Sequence, residues 1–241
     1  MELCIFNKIE DDLCIKGILE KDNVIVLRNI IEFSETEGVT SSAIKEYVAT
    51  RLANDDNILS RLAQAGKFIG DDLYRLAKFD IEQIYKKLFS TQIKYAPSGN
   101  PIGFSNGYVA SIRAITESKS AQELLDLLIE HYRKFGSGIL AKYNAFRYDG
   151  ELIGVSNTDD ITFDSLVGIE YQKQVLIDNT KAFVSGKAAN NVLLFGDRGT
   201  GKSSSVKALL NMFCDDGLRI IEMPKHCIKD IPSLSKVLAE S

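Results

Sequence analysis

The stretch from Asn191 to Phe213 constrains this chain more than any other. Asn191-Val192-Leu193-Leu194-Phe195 is a short apolar run with turn-forming residues on both sides, the pattern of a buried strand. It runs into Gly196-Asp197-Arg198-Gly199-Thr200-Gly201-Lys202-Ser203, which fits the spacing G-x-x-x-x-G-K-[ST] of a phosphate-binding P-loop. Ser204 to Phe213 then reads as an amphipathic helix, with Val206, Leu209, Leu210 and Phe213 expected on its buried face. The order has a physical logic. Glycines 196, 199 and 201 let the backbone turn so that successive N–H groups point inward, and these combine with the positive end of the helix dipole into an anion cradle. Lys202 adds a point charge for the β- and γ-phosphates, and the Ser203 hydroxyl is placed to ligate Mg²⁺. Residues 196–204, ending with Ser204, are therefore the expected nucleotide cradle. Within it Asp197 and Arg198 occupy unconstrained positions and are expected to be exposed. The competing interpretation, a glycine-rich turn with an incidental Lys-Ser, is disfavoured by the strand pattern before it and the helix pattern after it.

A second feature lies upstream. Asp164-Ser165-Leu166-Val167-Gly168-Ile169-Glu170 precedes a helix expected from about Tyr171 to Val184, with Val175, Leu176, Asn179 and Phe183 on one face. An apolar residue and a glycine at such an entry can approach a purine base, which needs a flat apolar wall and a close backbone. Val167 and Gly168 are the candidates. Taken alone, Leu-x-Gly-x-Glu is only a helix entry turn, and it is the P-loop downstream that gives it meaning.

Together these elements resemble the opening of an AAA+-type ATPase module. The stretches Gly168 to Lys173, Asn179-Thr180, Phe183, Gly186, Ala189 to Leu194, Gly196 to Ser204, Val206 to Leu209 and Gly217 to Arg219 resemble one bacterial family in particular, an AAA+-like, predicted ATP-binding family classed as a domain of unknown function. The likeness extends weakly back to Lys142-Tyr143 and Phe146. It implies an α/β P-loop fold, ATP and Mg²⁺ as ligands, ATP hydrolysis in a complete protein, and by class analogy a homo-oligomer acting on a protein partner. It also implies what should follow the P-loop. In the AAA+ strand order 5-1-4-3-2, the P-loop strand pairs with strands 4 and 5. An acidic strand end, a sensor residue, an arginine finger and a helical lid complete the site. The expected second strand is Leu218 to Met223, and the next helix begins near Asp230-Ile231-Pro232. None of the completing segments is found before Ser241. The expectation is a truncated chain, inactive alone, since a central strand without neighbours leaves its N–H and C=O groups unpaired. Glu222 alone could substitute for the missing carboxylate, and it reads better as a surface charge.

The rest of the chain narrows the alternatives. Hydrophobic residues make up 45% and charged residues 26% of 241, the balance of a globular protein and not of a disordered one. The net charge of −4 is a poor match to a generic nucleic-acid binder. The N-terminus has no basic leader, and no run approaches a membrane span, so a cytoplasmic location is expected. Cys4, Cys14, Cys214 and Cys227 have no C-x-x-C spacing, so neither a zinc site nor a disulfide framework is indicated. His226-Cys227 is half a ligand set with nothing near it in sequence to complete it.

Three regions are expected: a helical region over 1–145, a hairpin and linker over 146–160, and the first part of the P-loop module over 161–241. Ile44, Val48 and Leu52 form one helical stripe in Ser41 to Leu52, and Ile58 to Ala65 is a further helix. Leu73, Leu76, Ala77, Ile81, Ile84, Tyr85 and Leu88 form another stripe in Asp72 to Phe89. Tyr95 to Gly107 is the clearest loop. Ser120 and Glu123 fit a capping box ahead of Leu124, Leu128 and Tyr132, with Gly136 as the stop. Asp149-Gly150 suits the turn of a hairpin over Phe146 to Val155. Two other functions are weighed against an ATPase: a non-catalytic nucleotide-binding or assembly module, and a small P-loop kinase, for which Arg219 is the one downstream arginine. Asn7-Lys8-Ile9-Glu10 imitates a guanine-reading motif at the wrong end of the fold, and a GTPase is set aside.

Overall fold

The structure is a computed structural model of the chain, and it describes residues 2–38, 42–90, 104, 106–156 and 159–240. The fold is mixed α/β. It divides into two compact units, one holding the residues up to Lys142 together with those from Ile231 onward, the other Tyr143–Asp230.

The first unit is helical. Its elements are α1 (Leu13–Glu20), α2 (Asn23–Glu37), α3 (Ala43–Ala53), α4 (Ile58–Gln64), α5 (Asp71–Ile84), α6 (Asn106–Thr116), α7 (Ala121–Phe135) and the short α8 (Ile139–Lys142). α5 runs on into one wider turn, Tyr85–Phe89. The stripes of α3 and α7 form its core: Ile44, Val48, Leu52, Leu124, Leu128 and Tyr132 are all buried. The α5 stripe is narrower than its sequence pattern. Ala77, Ile81, Ile84 and Leu88 are buried, whereas Leu76 is exposed. The start of α7 is capped one residue out of register from a standard box. Ser120 Oγ accepts from the Glu123 N–H at 3.1 Å, and the Glu123 carboxylate accepts from Lys119 N–H at 2.7 Å. Gly136 follows at φ 78° and closes the helix onto the Tyr132 carbonyl. Of the expected loop Tyr95 to Gly107, residues 95–103 and 105 lie outside the described residues, and Gly107 belongs to α6.

Two polar groups inside this helical core are not foreshadowed by any pattern. The Asp80 carboxylate is fully buried on α5 and accepts from the backbone N–H groups of Cys4, Ile5 and Phe6, which fastens the N-terminal segment to the bundle. His131 is buried among the rings of Tyr108, Tyr132 and Phe135. Its Nδ1 lies 2.8 Å from Ser111 Oγ, while its Nε2 has no hydrogen-bond partner among the described residues.

The second unit holds a three-stranded sheet of order β2-β1-β3, from β1 (Ala145–Tyr148), β2 (Leu152–Val155) and β3 (Ile220–Glu222). β1 and β2 form a hairpin in the register Phe146↔Gly154, with Gly150 at φ 83° in its turn. β1 also pairs in parallel with β3, Ala145↔Ile220 through Arg147↔Glu222. Phe146, on the central strand, is buried. Opposite it, Gly154 is obligatory, because any Cβ there would overlap the Tyr143 ring. Between the hairpin and β3 lie α9 (Glu170–Val184) and α10 (Lys202–Phe213), packed on each other. A further helix, α11 (Ile231–Glu240), begins directly after Asp230 with Pro232 in its first turn.

The burial of His131 pushes its pKa down to about 4. Between about pH 6.5 and pH 4 the unfolded chain binds a proton at this site and the folded chain does not. Stability is therefore expected to fall as pH falls through that window, by up to roughly 3 kcal/mol. Urea unfolding at pH 7 and pH 4.5 should show a smaller difference in His131→Gln than in the native sequence. An unchanged difference would mean that His131 is not held neutral.

Candidate functional site

Residues 196–203, which fit the P-loop spacing, form one continuous turn ahead of α10. Gly196, Gly199 and Gly201 have φ of 138°, 81° and 80°, all in the region that a side chain opposes. Gly201 is the N-cap residue, and no side chain caps the helix. The first helical bond here is from Ser205 N–H to the Gly201 carbonyl, at 2.8 Å. The N–H groups of Lys202, Ser203 and Ser204 come before it, where a helix has donors free for an anion. Thr200 Oγ1 donates to the Asp197 carbonyl at 2.9 Å and braces the turn from within.

Lys202 curls back over the loop that precedes it. Its Nζ donates to the Gly196 and Asp197 carbonyls at 2.9 and 2.5 Å and lies 3.2 Å from Thr200 Oγ1. The ammonium is thus held above the turn by loop carbonyls and not by a carboxylate. Ser203 is exposed on the first turn of α10, and Asp197 and Arg198 are exposed at the loop's outer edge.

The upstream segment meets this loop. Phe163–Ser165 forms a short 3-10 turn against α10, and its Phe163 is buried. The Leu166 and Ile169 side chains lie over Gly201, about where a Cβ on that glycine would come into ordinary contact at 3.8 and 3.9 Å. Between them Gly168 has φ 84° and Val167 is 89% exposed. Val167 and Gly168 stand between these two residues in the chain, with the Val167 side chain facing open solvent.

Four expectations are corrected. Asn191 to Phe195 was expected to be a buried strand, but it is extended without pairing, and Leu193 and Phe195 are 83% and 87% exposed. The physical reason is topological: among the described residues, the strands of this unit pair only with each other, so the apolar run has no ladder to enter. On α9, Leu176 is buried but Val175 and Phe183 are exposed. On α10 the expected Leu210 and Phe213 are buried, together with the small Ser205 and Ala208, whereas Val206 is exposed. Of the expected second strand Leu218 to Met223, only Ile220–Glu222 is strand. Glu222 ends it exposed. Arg219 donates to the Cys214 and Leu218 carbonyls, beyond the C-terminal end of α10 and a helix length away from Lys202. Burial lowers its pKa.

Sequence reasoning missed how the loop before the P-loop is anchored. The Asn179 side chain makes two bonds to Asn190, donating to its carbonyl at 2.9 Å and accepting from its N–H at 2.8 Å. This ties the chain leaving α9 to the middle of that helix. Asn211 does similar work, donating to the Asp159 and Ile161 carbonyls.

With this geometry in place, the chain can be compared with known proteins. Residues 141–241 match the model of a family described as protein of unknown function (DUF815). The matched segment contains the hairpin, α9, the P-loop and β3. No curated protein and no solved structure matches the chain. No helix among the described residues is long and apolar enough to cross a membrane.

Removing the Asn179 amide should release the Asn190 backbone. Asn179→Ala is expected to cost about 1 kcal/mol of local stability. Amide exchange at Asn190 should speed up several-fold while the buried α3 and α7 amides stay unchanged. Unchanged exchange at Asn190 would show that the anchor carries no weight.

Proposed function

We propose that residues 196–204 bind the phosphates of Mg·ATP, within a P-loop module of AAA+ type. The observation that carries this reading is the conjunction at the start of α10. Three glycines at positive φ turn the backbone, an uncapped helix N-terminus offers N–H donors, and a lysine ammonium lies over the same turn. Each feature alone is common. Their coincidence in the order Gly-Thr-Gly-Lys-Ser is what an oligophosphate requires. In this reading the N–H groups of Gly199 to Ser204 face the phosphates. Lys202 exchanges its neutral loop carbonyls for anionic phosphate oxygens, so that both partners of the bond are charged. Ser203 ligates Mg²⁺, and Val167 and Gly168 approach the base.

Hydrolysis needs an acidic group at Mg²⁺ and a group that orients water. No described residue is assigned either role, so the proposal for this chain is binding. Turnover, homo-oligomerisation and action on a protein partner are implied only by the AAA+ resemblance. A second reading, a nucleotide-binding or assembly module without turnover, is favoured by the exposed apolar run Val192 to Phe195, because a surface of that kind marks contact with other protein.

Binding of a fluorescent ATP analogue in the presence of Mg²⁺ tests the proposal. Lys202→Ala should weaken it by about a hundredfold, the loss of one charge-assisted contact of roughly 3 kcal/mol. Equal affinity in the two proteins would remove the P-loop from the account.

A further inference from the structure

His226-Cys227 lacks a third ligand in the sequence, and the fold supplies one. The parallel register that ends at Arg147↔Glu222 sends the chain after β1 and the chain after β3 off the same end of the sheet. Asp149, in the hairpin turn, thereby comes against His226 and Cys227, 77 and 78 residues away. His226 Nε2 lies 3.1 Å from Asp149 Oδ1, and Cys227 Sγ lies 3.8 Å from the same oxygen. One ligand atom from each residue falls within 4.8 Å of the other two.

We propose that Asp149, His226 and Cys227 form a three-ligand site for a divalent transition metal, with Zn²⁺ as the ion the donor set fits. This site is separate from the nucleotide cradle and does not depend on it. Zinc bonds of about 2.0 Å to oxygen and nitrogen and about 2.3 Å to sulfur place tetrahedral ligand atoms about 3.3–3.6 Å apart. The observed separations reach those values with side-chain shifts of well under the length of a rotamer change. The donors are one sulfur, one imidazole nitrogen and one carboxylate oxygen. Mg²⁺ and Ca²⁺ take oxygen ligands almost exclusively, so this mixture selects against both.

The surroundings favour a cation. The Asp149 and Asp230 carboxylates place negative charge beside the Cys227 sulfur. The same two carboxylates attract a divalent ion. On binding, the Cys227 S–H bond breaks, its proton leaves to solvent, and the sulfur lone pair forms the bond to the metal with no change of oxidation state. Asp149 and His226 are exposed, so the ion can enter directly from solvent. Three protein ligands leave the fourth position for water. The bound ion would clip the hairpin turn to the 225–230 segment.

Titration of the full chain with Co²⁺, followed by displacement with Zn²⁺, tests this. The expected result is one equivalent bound, with a thiolate-to-cobalt charge-transfer band that disappears in Cys227→Ser. Affinity should drop at least tenfold in Asp149→Asn and in His226→Ala, whose side chains are exposed and whose replacement leaves the metal-free circular dichroism unchanged. Cys4→Ser should bind as the native sequence does. The proposal is overturned if no charge-transfer band forms or if the band survives in Cys227→Ser. It is equally overturned if Asp149→Asn and His226→Ala both bind with native affinity, or if the band is lost in Cys4→Ser.

Discussion

Three residue pairs of parallel ladder close the second unit. Ala145, Phe146 and Arg147 meet Ile220, Ile221 and Glu222, and the Asn144 carbonyl adds one more bond from Ile220 N–H at 3.0 Å. Everything between, the hairpin, α9, the P-loop and α10, is a loop tied at both ends by that short ladder. Closing a long loop costs little more than closing a shorter one, because the entropic cost rises only with the logarithm of length. A few backbone bonds around buried Phe146, together with the packing of α9 on α10, are therefore enough to define the unit. Two local consequences follow from the strand registers. The antiparallel hairpin register sets the Tyr143 ring over Gly154, and the parallel one carries Asp149 to the end of the sheet from which His226 and Cys227 also emerge.

The proposed phosphate cradle owes its shape to something else. Its supporting strand is unpaired, yet the turn still has three glycines at positive φ, a braced Thr200 and an inward-curled Lys202. What holds it is the rigid start of α10 and the apolar contact of Leu166 and Ile169 over Gly201. This distinction separates two requirements. A donor array for phosphate needs only a helix N-terminus and permissive backbone. Positioning that array against other catalytic groups needs the strand beneath it to be fixed in a sheet, and here Leu193 and Phe195 face solvent.

Local signals were legible from the sequence, and partner-dependent ones were not. The α3 stripe Ile44, Val48 and Leu52, the cap at Ser120, the stop at Gly136 and the turn at Gly150 each depend on residues within a few positions. Each appears in the structure where its pattern lies. The run Val192 to Phe195 carries a strand's composition, but a strand exists only when another offers it a ladder. Nothing inside a five-residue window reports that. The same limit hid Asp80, whose acceptors' partners are the N–H groups of Cys4 to Phe6, more than seventy residues away. It also hid Asp149 as a neighbour of His226 and Cys227. On α10 the expected Leu210 and Phe213 are buried, but so are the small Ser205 and Ala208, while Val206 is exposed, a difference that apolar periodicity alone does not report.

The central claim is that the turn before α10 is an oligophosphate site, and residue-resolved amide spectra with added Mg·ATP test it most directly. The account predicts that the amide signals of Gly199 to Ser204 shift together and that their exchange with solvent slows, while those of the helical first unit stay in place. Saturable shifts confined to the first unit, for example around the open pocket lined by Phe68, Tyr74 and Arg133, would contradict it. So would the absence of any saturable shift in residues 196–204 at millimolar nucleotide.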